Sequence, residues 1–180
     1  MYSKKSALFV AKLFGLSLLG LILSACVSLP ENIQPVKNFQ LERYLGKWYE
    51  IARLDHSFER DLHKVSAEYS LREDGGVKVI NKGWHTTKKQ WQEAVGKAYF
   101  VREENEAYLK VSFFGPFYGA YVVFELDKKD YQYAFVSGPN KKYLWLLSRT
   151  PKVSDELLKH FIDNVNARGF DAEKLILVSQ

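Results

Sequence analysis

The chain has almost no cysteine: Cys26 is the only one among 180 residues. It can form no intrachain disulfide, so the fold must be held by packing and hydrogen bonds. A zinc site built from several cysteines is excluded as well. The Gly-x-Ser-x-Gly and His-Glu-x-x-His signatures are missing, and the four histidines are not spaced as ligands. We therefore predict no metal, no cofactor and no catalytic residue.

The sequence also lacks a long hydrophobic run and a large excess of charge of one sign. The longest uncharged apolar run is residues 13–23, well short of the ~20 residues that span a bilayer as a helix. The net charge is +5. Three lysines and no acid lie in residues 1–25, so subtracting those three leaves +2 for the remainder. Without a dense basic block, we predict no nucleic-acid partner.

The N-terminus has the pattern of a secretory signal: Lys4 and Lys5, then the apolar run, then small residues before Cys26. Leu-Ser-Ala-Cys26 resembles the lipobox of bacterial lipoproteins. There the cysteine carries a diacylglycerol thioether and the signal is removed. We predict that residues 1–25 are a lipoprotein signal peptide and that Cys26 is the lipidation site. A plain signal peptide with a chance cysteine, or an uncleaved anchor, are the alternatives.

Residues 27–39 contain two prolines and no periodicity. Together with Cys26 they are predicted to form a lipidated N-terminus and tether, residues 26–39. Fully extended, the thirteen residues 27–39 reach ~45 Å. Residues 40–180 are predicted to form one domain.

Eight segments have the alternation of strands and are separated by short turns. They are residues 47–54, 65–72, 77–82, 91–101, 108–114, 117–126, 131–137 and 143–148. The connections, such as Asp74-Gly75-Gly76, suit hairpins. Closure removes exposed strand edges, so the pattern predicts an all-β, eight-stranded antiparallel up-and-down barrel.

The period changes after residue 153. Ser154 is a suitable N-cap, apolar residues recur at helical spacing up to Val165, and Gly169 is a stop signal. We predict one C-terminal α-helix, about 154–168, packed outside the barrel, and a short final strand at 174–178.

Three short motifs resemble the lipocalin family: Gly46-Lys47-Trp48, Asp130-Tyr131, and Arg149 before the helix. The usual threonine of the second motif is Lys129 here. The resemblance implies that Arg149 lies across Trp48 and that both, with Gly46, close one barrel end. Such a cation–π contact contributes ~0.5–2 kcal/mol.

Longer stretches, such as 110–119 and 145–151, resemble the bacterial lipoprotein lipocalins and their apolipoprotein-D-like relatives. This resemblance implies a protein anchored in the cell outer membrane whose barrel binds a fatty acid or lysophospholipid. It also allows a homodimer. Val27 after the cysteine, instead of the aspartate linked to inner-membrane retention, favours the outer membrane.

Strand alternation predicts which side chains point inward. An eight-stranded barrel is either filled by side chains or holds one small ligand. Several inward positions are small, including Ala67, Ala94, Gly96 and Ala98, which favours a cavity. In the sixth and seventh strands both faces are apolar, so the alternation of residues does not show which face points into the barrel. The predicted ligand-binding residues are Val65, Ala67, Tyr69, Val79, Ala98, Phe100, Leu109, Val111 and Phe113.

The first long connection, residues 55–63, should lie over the barrel mouth. Phe58 and Leu62 are predicted to act as a lid or to touch lipid, with a solvated loop as the alternative. Arg53 and Arg60 are candidate contacts for a carboxylate or phosphate headgroup.

The predicted function is storage or transport of lipids in envelope maintenance, without enzymatic activity. Two alternatives stay open: a structural lipoprotein scaffold with a filled barrel, and a lipid-modifying enzyme.

Overall fold

The alternating residues form eight antiparallel strands in the computed structural model, which describes residues 27–180. The predicted signal peptide and Cys26 lie outside the described residues. The strands are β1 (Gly46–Leu54), β2 (Leu62–Leu71), β3 (Val77–His85), β4 (Gln90–Phe100), β5 (Tyr108–Ser112), β6 (Gly119–Leu126), β7 (Tyr133–Ser137) and β8 (Leu144–Ser148).

Each strand pairs with the next, and β1 closes the barrel by pairing with both β2 and β8. Gly46 lies opposite Tyr69 on β2, and Tyr49 lies opposite Ser148 on β8. A short strand, β9 (Leu175–Leu177), extends the sheet beside β1. The predicted eight-stranded up-and-down barrel is confirmed.

Within residues 27–180, two α-helices accompany the barrel, α1 (Leu41–Tyr44) and α2 (Asp155–Ala167). The Ser154 side chain caps α2 by accepting a hydrogen bond from the Leu157 N–H, at 3.2 Å. Phe161 packs edge-on against Phe135 with ring centroids 4.8 Å apart, so α2 lies outside the barrel wall, as predicted. Within residues 27–180, no helix is long and apolar enough to cross a membrane.

Two apolar cores share the barrel wall. Val123 and Val136 belong to the core inside the barrel. Val122 and Phe124 belong to the outer core between the wall and α2. This orients β6 and β7, whose two apolar faces parity could not distinguish.

The prediction that residues 27–39 are a free tether is wrong for most of the segment. Ile33 and Phe39 are buried. The Val36 N–H donates to the Val123 carbonyl, and the Val36 carbonyl accepts from the Ala107 N–H, both at 2.9 Å. Isolated apolar residues can pack without regular secondary structure, so missing periodicity did not indicate a free chain. Residues 33–39, hereafter the N-terminal strap, are bound to the barrel.

Candidate functional site

One end of the barrel is sealed by Trp48 and Arg149. The Arg149 guanidinium carbon lies 3.9 Å from the Trp48 ring centroid. Its Nη1 and Nη2 donate to the main-chain carbonyls of Lys47 and Arg43 at 2.9 and 2.7 Å. Gly46 has φ of +87°, a conformation that disfavours any side chain. We call this the closed end; it has the arrangement that the family resemblance implies.

Beyond the closed end the barrel encloses an apolar cavity of about 860 Å³, counting the part open to solvent. Of the nine predicted ligand-binding residues, the structure places eight in its wall. They are Val65, Ala67, Tyr69, Val79, Ala98, Leu109, Val111 and Phe113. A cavity with such a wall suits an acyl chain.

Phe100, the ninth, does not line the cavity. Its ring meets that of Phe39 edge-on, with centroids 6.3 Å apart. The N-terminal strap places Phe39 there, in a segment that the sequence predicts to be a tether. The expected role of Gly96 also changes, because a Cβ there would come within 2.8 Å of the Phe113 ring. Gly96 therefore makes room for Phe113.

Three tyrosine hydroxyls form a chain in the cavity wall. The Tyr121 hydroxyl lies 2.7 Å from that of Tyr44 and 2.8 Å from that of Tyr69. Three hydroxyl hydrogens serve two bonds, so one hydrogen is left over within this triad. Burial raises the pKa of all three hydroxyls. The triad is therefore a neutral hydrogen-bond donor. Tyr121 was not predicted because parity did not orient β6.

The other end is the mouth, a space of about 1350 Å³ counting open solvent, which shares much of its wall with the cavity. Phe58 lines both spaces and is 53% exposed. Its ring stacks on His56 with centroids 4.1 Å apart. Leu62 is buried and lines the mouth. Phe58 therefore stands where the cavity and the mouth meet.

A buried charged network supports the loop that carries Phe58. Arg53 Nη1 donates to Glu50 Oε1 at 2.6 Å, and Arg53 Nη2 donates to the Glu59 carbonyl at 2.9 Å. Trp145 Nε1 donates to Glu59 Oε2 at 3.0 Å. His56 Nε2 lies 2.9 Å from the same oxygen, although its direction is poor for a hydrogen bond. Glu50 and Glu59 both line the cavity.

The two carboxyl groups ionise differently. Burial raises the pKa of Glu50 well above its usual value, and the charge of Glu59 raises it further. Burial also opposes ionisation of Glu59, but the contact with His56 and the Trp145 N–H outweigh it, so the pKa of Glu59 is lowered. These shifts favour the neutral form of Glu50 and the charged form of Glu59. Glu50 could have been found from the sequence, because it is two residues from the inward Trp48.

The structure does not place Arg53 and Arg60 as headgroup contacts. Arg53 is 3% exposed and its guanidinium is engaged within the network. Arg60 is exposed and pairs with Asp55 at 2.7 Å. Neither arginine lines the cavity or the mouth. Residues 27–180 also contain no group of three or more His, Cys, Asp or Glu arranged to hold a metal ion.

Comparison with known proteins gives one consistent family. The model of the lipocalin-like domain matches residues 39–180. The outer membrane lipoprotein Blc of Vibrio cholerae is 59% identical over 165 residues, covering 92% of this chain and 96% of that protein. Blc of Escherichia coli K12 is 54% identical over 151 residues, covering 84% and 85%. Bovine apolipoprotein D is 31% identical over 152 residues, covering 80% and 78%.

Solved structures show the same fold. Insecticyanin from the tobacco hornworm superposes with a TM-score of 0.67 at 21% identity, covering 85% of this chain and 87% of that one. The cockroach allergen Per a 4 gives 0.64 at 19% identity, covering 84% and 95%.

Proposed function

Since the chain belongs to the lipocalin family, we propose that its cavity binds the acyl chain of a fatty acid or lysophospholipid. The protein would store or move such lipids at the outer membrane. The coarser statement, a lipocalin that binds a lipophilic ligand, follows from the family itself. The apolar cavity is the observation that supports the more specific proposal, an acyl chain as the ligand.

The cavity favours this function over a filled scaffold. Its wall is mostly aliphatic and aromatic, and small residues such as Ala67, Ala98 and Ala120 leave its centre open. The tyrosine triad supplies one hydrogen for a ligand oxygen. The charged Glu59 near the mouth disfavours a carboxylate beside it, so a headgroup is better accommodated further out.

Localisation rests on the relatives named outer membrane lipoprotein. We propose that Cys26 carries the lipid. Cys26→Ala should release the protein from membranes, because it removes the residue that would carry the acyl chains, and stable attachment needs more than one such chain. Continued fractionation of this variant with membranes would contradict the assignment.

Ligand binding is tested by native mass spectrometry of delipidated protein with added lysophosphatidylethanolamine. We expect a one-to-one complex. Ala98→Phe should abolish it by filling the cavity, whereas Ala167→Phe, the same change at an exposed position of α2, should leave it intact. Equal binding by both variants would contradict the cavity as the site. Turnover of the lipid by the parent protein would instead favour the enzyme alternative.

A further inference from the structure

The loop between β5 and β6, residues 113–118, exposes two large aromatic side chains. Phe114 is 80% exposed and Phe117 is 71% exposed. The two side chains stand at the edge of the mouth and line its wall. Phe58 and Trp91, about half exposed, lie at the same end of the barrel. Apolar groups gathered at one end mark an interaction surface.

We propose that this end of the barrel docks on the surface of an anionic lipid bilayer, with Phe114 and Phe117 entering the headgroup region. The loop then brings the mouth to the membrane. The proposal rests on the membrane attachment assigned above but not on the identity of the cavity ligand.

The charges of the two barrel ends support a bilayer as the occupant. The four loops at the mouth, residues 55–61, 86–89, 113–118 and 138–143, contain five basic and three acidic residues. The loops at the closed end, residues 72–76, 101–107, 127–132 and 149–153, contain six basic and seven acidic residues. Positive charge beside exposed aromatic groups is the combination that anionic membrane surfaces attract.

Three of the lysines at the mouth are free to meet lipid phosphates. Lys88, Lys89 and Lys142 are exposed. Within residues 27–180, no carboxylate oxygen lies within 4.0 Å of their ammonium groups. A protein partner with an acidic surface would satisfy the lysines and cover the phenylalanines equally. A bilayer is favoured because the membrane attachment inferred from the relatives keeps one beside the barrel.

The anchor can reach the plane of the mouth. Val36 is held beside Val123, which is six residues along the chain from Phe117, or at most ~20 Å at the rise of a strand. The seven residues from Cys26 to Asn32 span ~23 Å when extended. Docking therefore requires that residues 27–32 leave the wall, including the hydrogen bond that the Tyr108 hydroxyl donates to the Val27 carbonyl.

A fluorophore on a single cysteine tests the proposal. In the mature lipoprotein the Cys26 sulfur is alkylated, so an introduced cysteine is the only thiol; a mass spectrum verifies this. Gly115→Cys places the probe between the two phenylalanines, where a side chain meets open space. Ser70→Cys is the matched control, exposed near the closed end. Both are reconstituted in phosphatidylglycerol vesicles that contain a lipid-borne quencher.

We expect the probe at 115 to be quenched several-fold more than the probe at 70. Phe114→Ser with Phe117→Ser should abolish the difference, whereas Leu71→Ser with Val95→Ser, two other exposed apolar residues, should preserve it. Equal quenching at the two positions would overturn the proposal. Self-quenching at 115 that depends on protein density would also overturn it, because a second copy would then cover the loop. Lysophospholipid binding measured on the same samples reports separately on the cavity.

Discussion

The two ends of the barrel are built from the same eight strands but differ in how far their aromatic residues are exposed to solvent. At the closed end Trp48 is fully buried and Arg149 is bonded to main-chain carbonyls. At the mouth, Phe114 and Phe117 are in solvent, whereas the charged side chains of Arg53 and Glu59 are buried. We infer that packing at the closed end stabilises the fold. The exposed apolar and buried charged groups at the mouth serve ligand and membrane contact and lower the stability.

Removing the Trp48 side chain tests this contrast most severely. Trp48→Ala should lower the free energy of unfolding by ~3–5 kcal/mol, because a large buried ring leaves a cavity. Denaturation with urea measures the loss. Phe114→Ala, at an exposed position beside the mouth, should change the free energy by ~0.5 kcal/mol or less. Similar losses in the two variants would contradict the division of tasks.

The buried carboxyl pair makes stability at the mouth depend on pH. Folded Glu50 keeps its proton above the pH at which an unfolded glutamate loses it, ~4.3. The folded state then binds more protons, so stability falls as pH rises, by up to ~1.4 kcal/mol per pH unit. Glu50→Gln should flatten this slope and be more stable than the parent at neutral pH.

The measurement is urea denaturation at several values between pH ~5 and ~8. Glu68→Gln, on the exposed face of β2, is the matched control and should retain the parental slope. Glu59 contributes in the opposite direction, and only as pH falls toward its lowered pKa, so it does not affect this window. A parent protein with no slope would show that Glu50 is ionised in the folded state.

The smallest expected effect concerns the tyrosine triad. Tyr121→Phe removes the central hydroxyl and should weaken binding of a lysophospholipid by ~0.5–1.5 kcal/mol. Titration of intrinsic fluorescence measures the affinity. Tyr99→Phe loses a hydrogen bond to Asp74 away from the cavity and should bind as the parent does. Unchanged binding by Tyr121→Phe would mean that the ligand oxygens lie elsewhere.

The barrel and most of the cavity wall could be predicted from the sequence because both depend on local regularity. A period of two identifies a strand and the residues on its inner face, such as Val65 and Val111. Capping residues located the helix to within a residue at each end. These signals are contained in a few neighbouring residues.

The features that were missed depend on long-range contacts. The sequence predicts Arg53 as a headgroup contact, because the bonds of Arg53 to Glu50 and to the carbonyls of Glu59 and Leu62 exist only in the folded chain. Tyr121 lies on a strand apolar on both faces, where alternation carries no information. The N-terminal strap packs against residues 70 to 90 positions away, such as Ala107 and Val123, and has no period to reveal it.

The N-terminal strap also limits the distance from the anchor at which the barrel can contact lipids. A chain unbound from Cys26 to residue 39 would let the domain range over ~45 Å. With the strap bound, the seven residues from Cys26 to Asn32 reach about half of that distance, and only after residues 27–32 have left the barrel wall. Shortening a linker raises the effective concentration of the linked module at nearby sites and removes distant ones from reach. If Cys26 carries the anchor, we expect each molecule to take up lipids from the leaflet that holds that anchor. Exchange with a facing membrane would need a separate carrier.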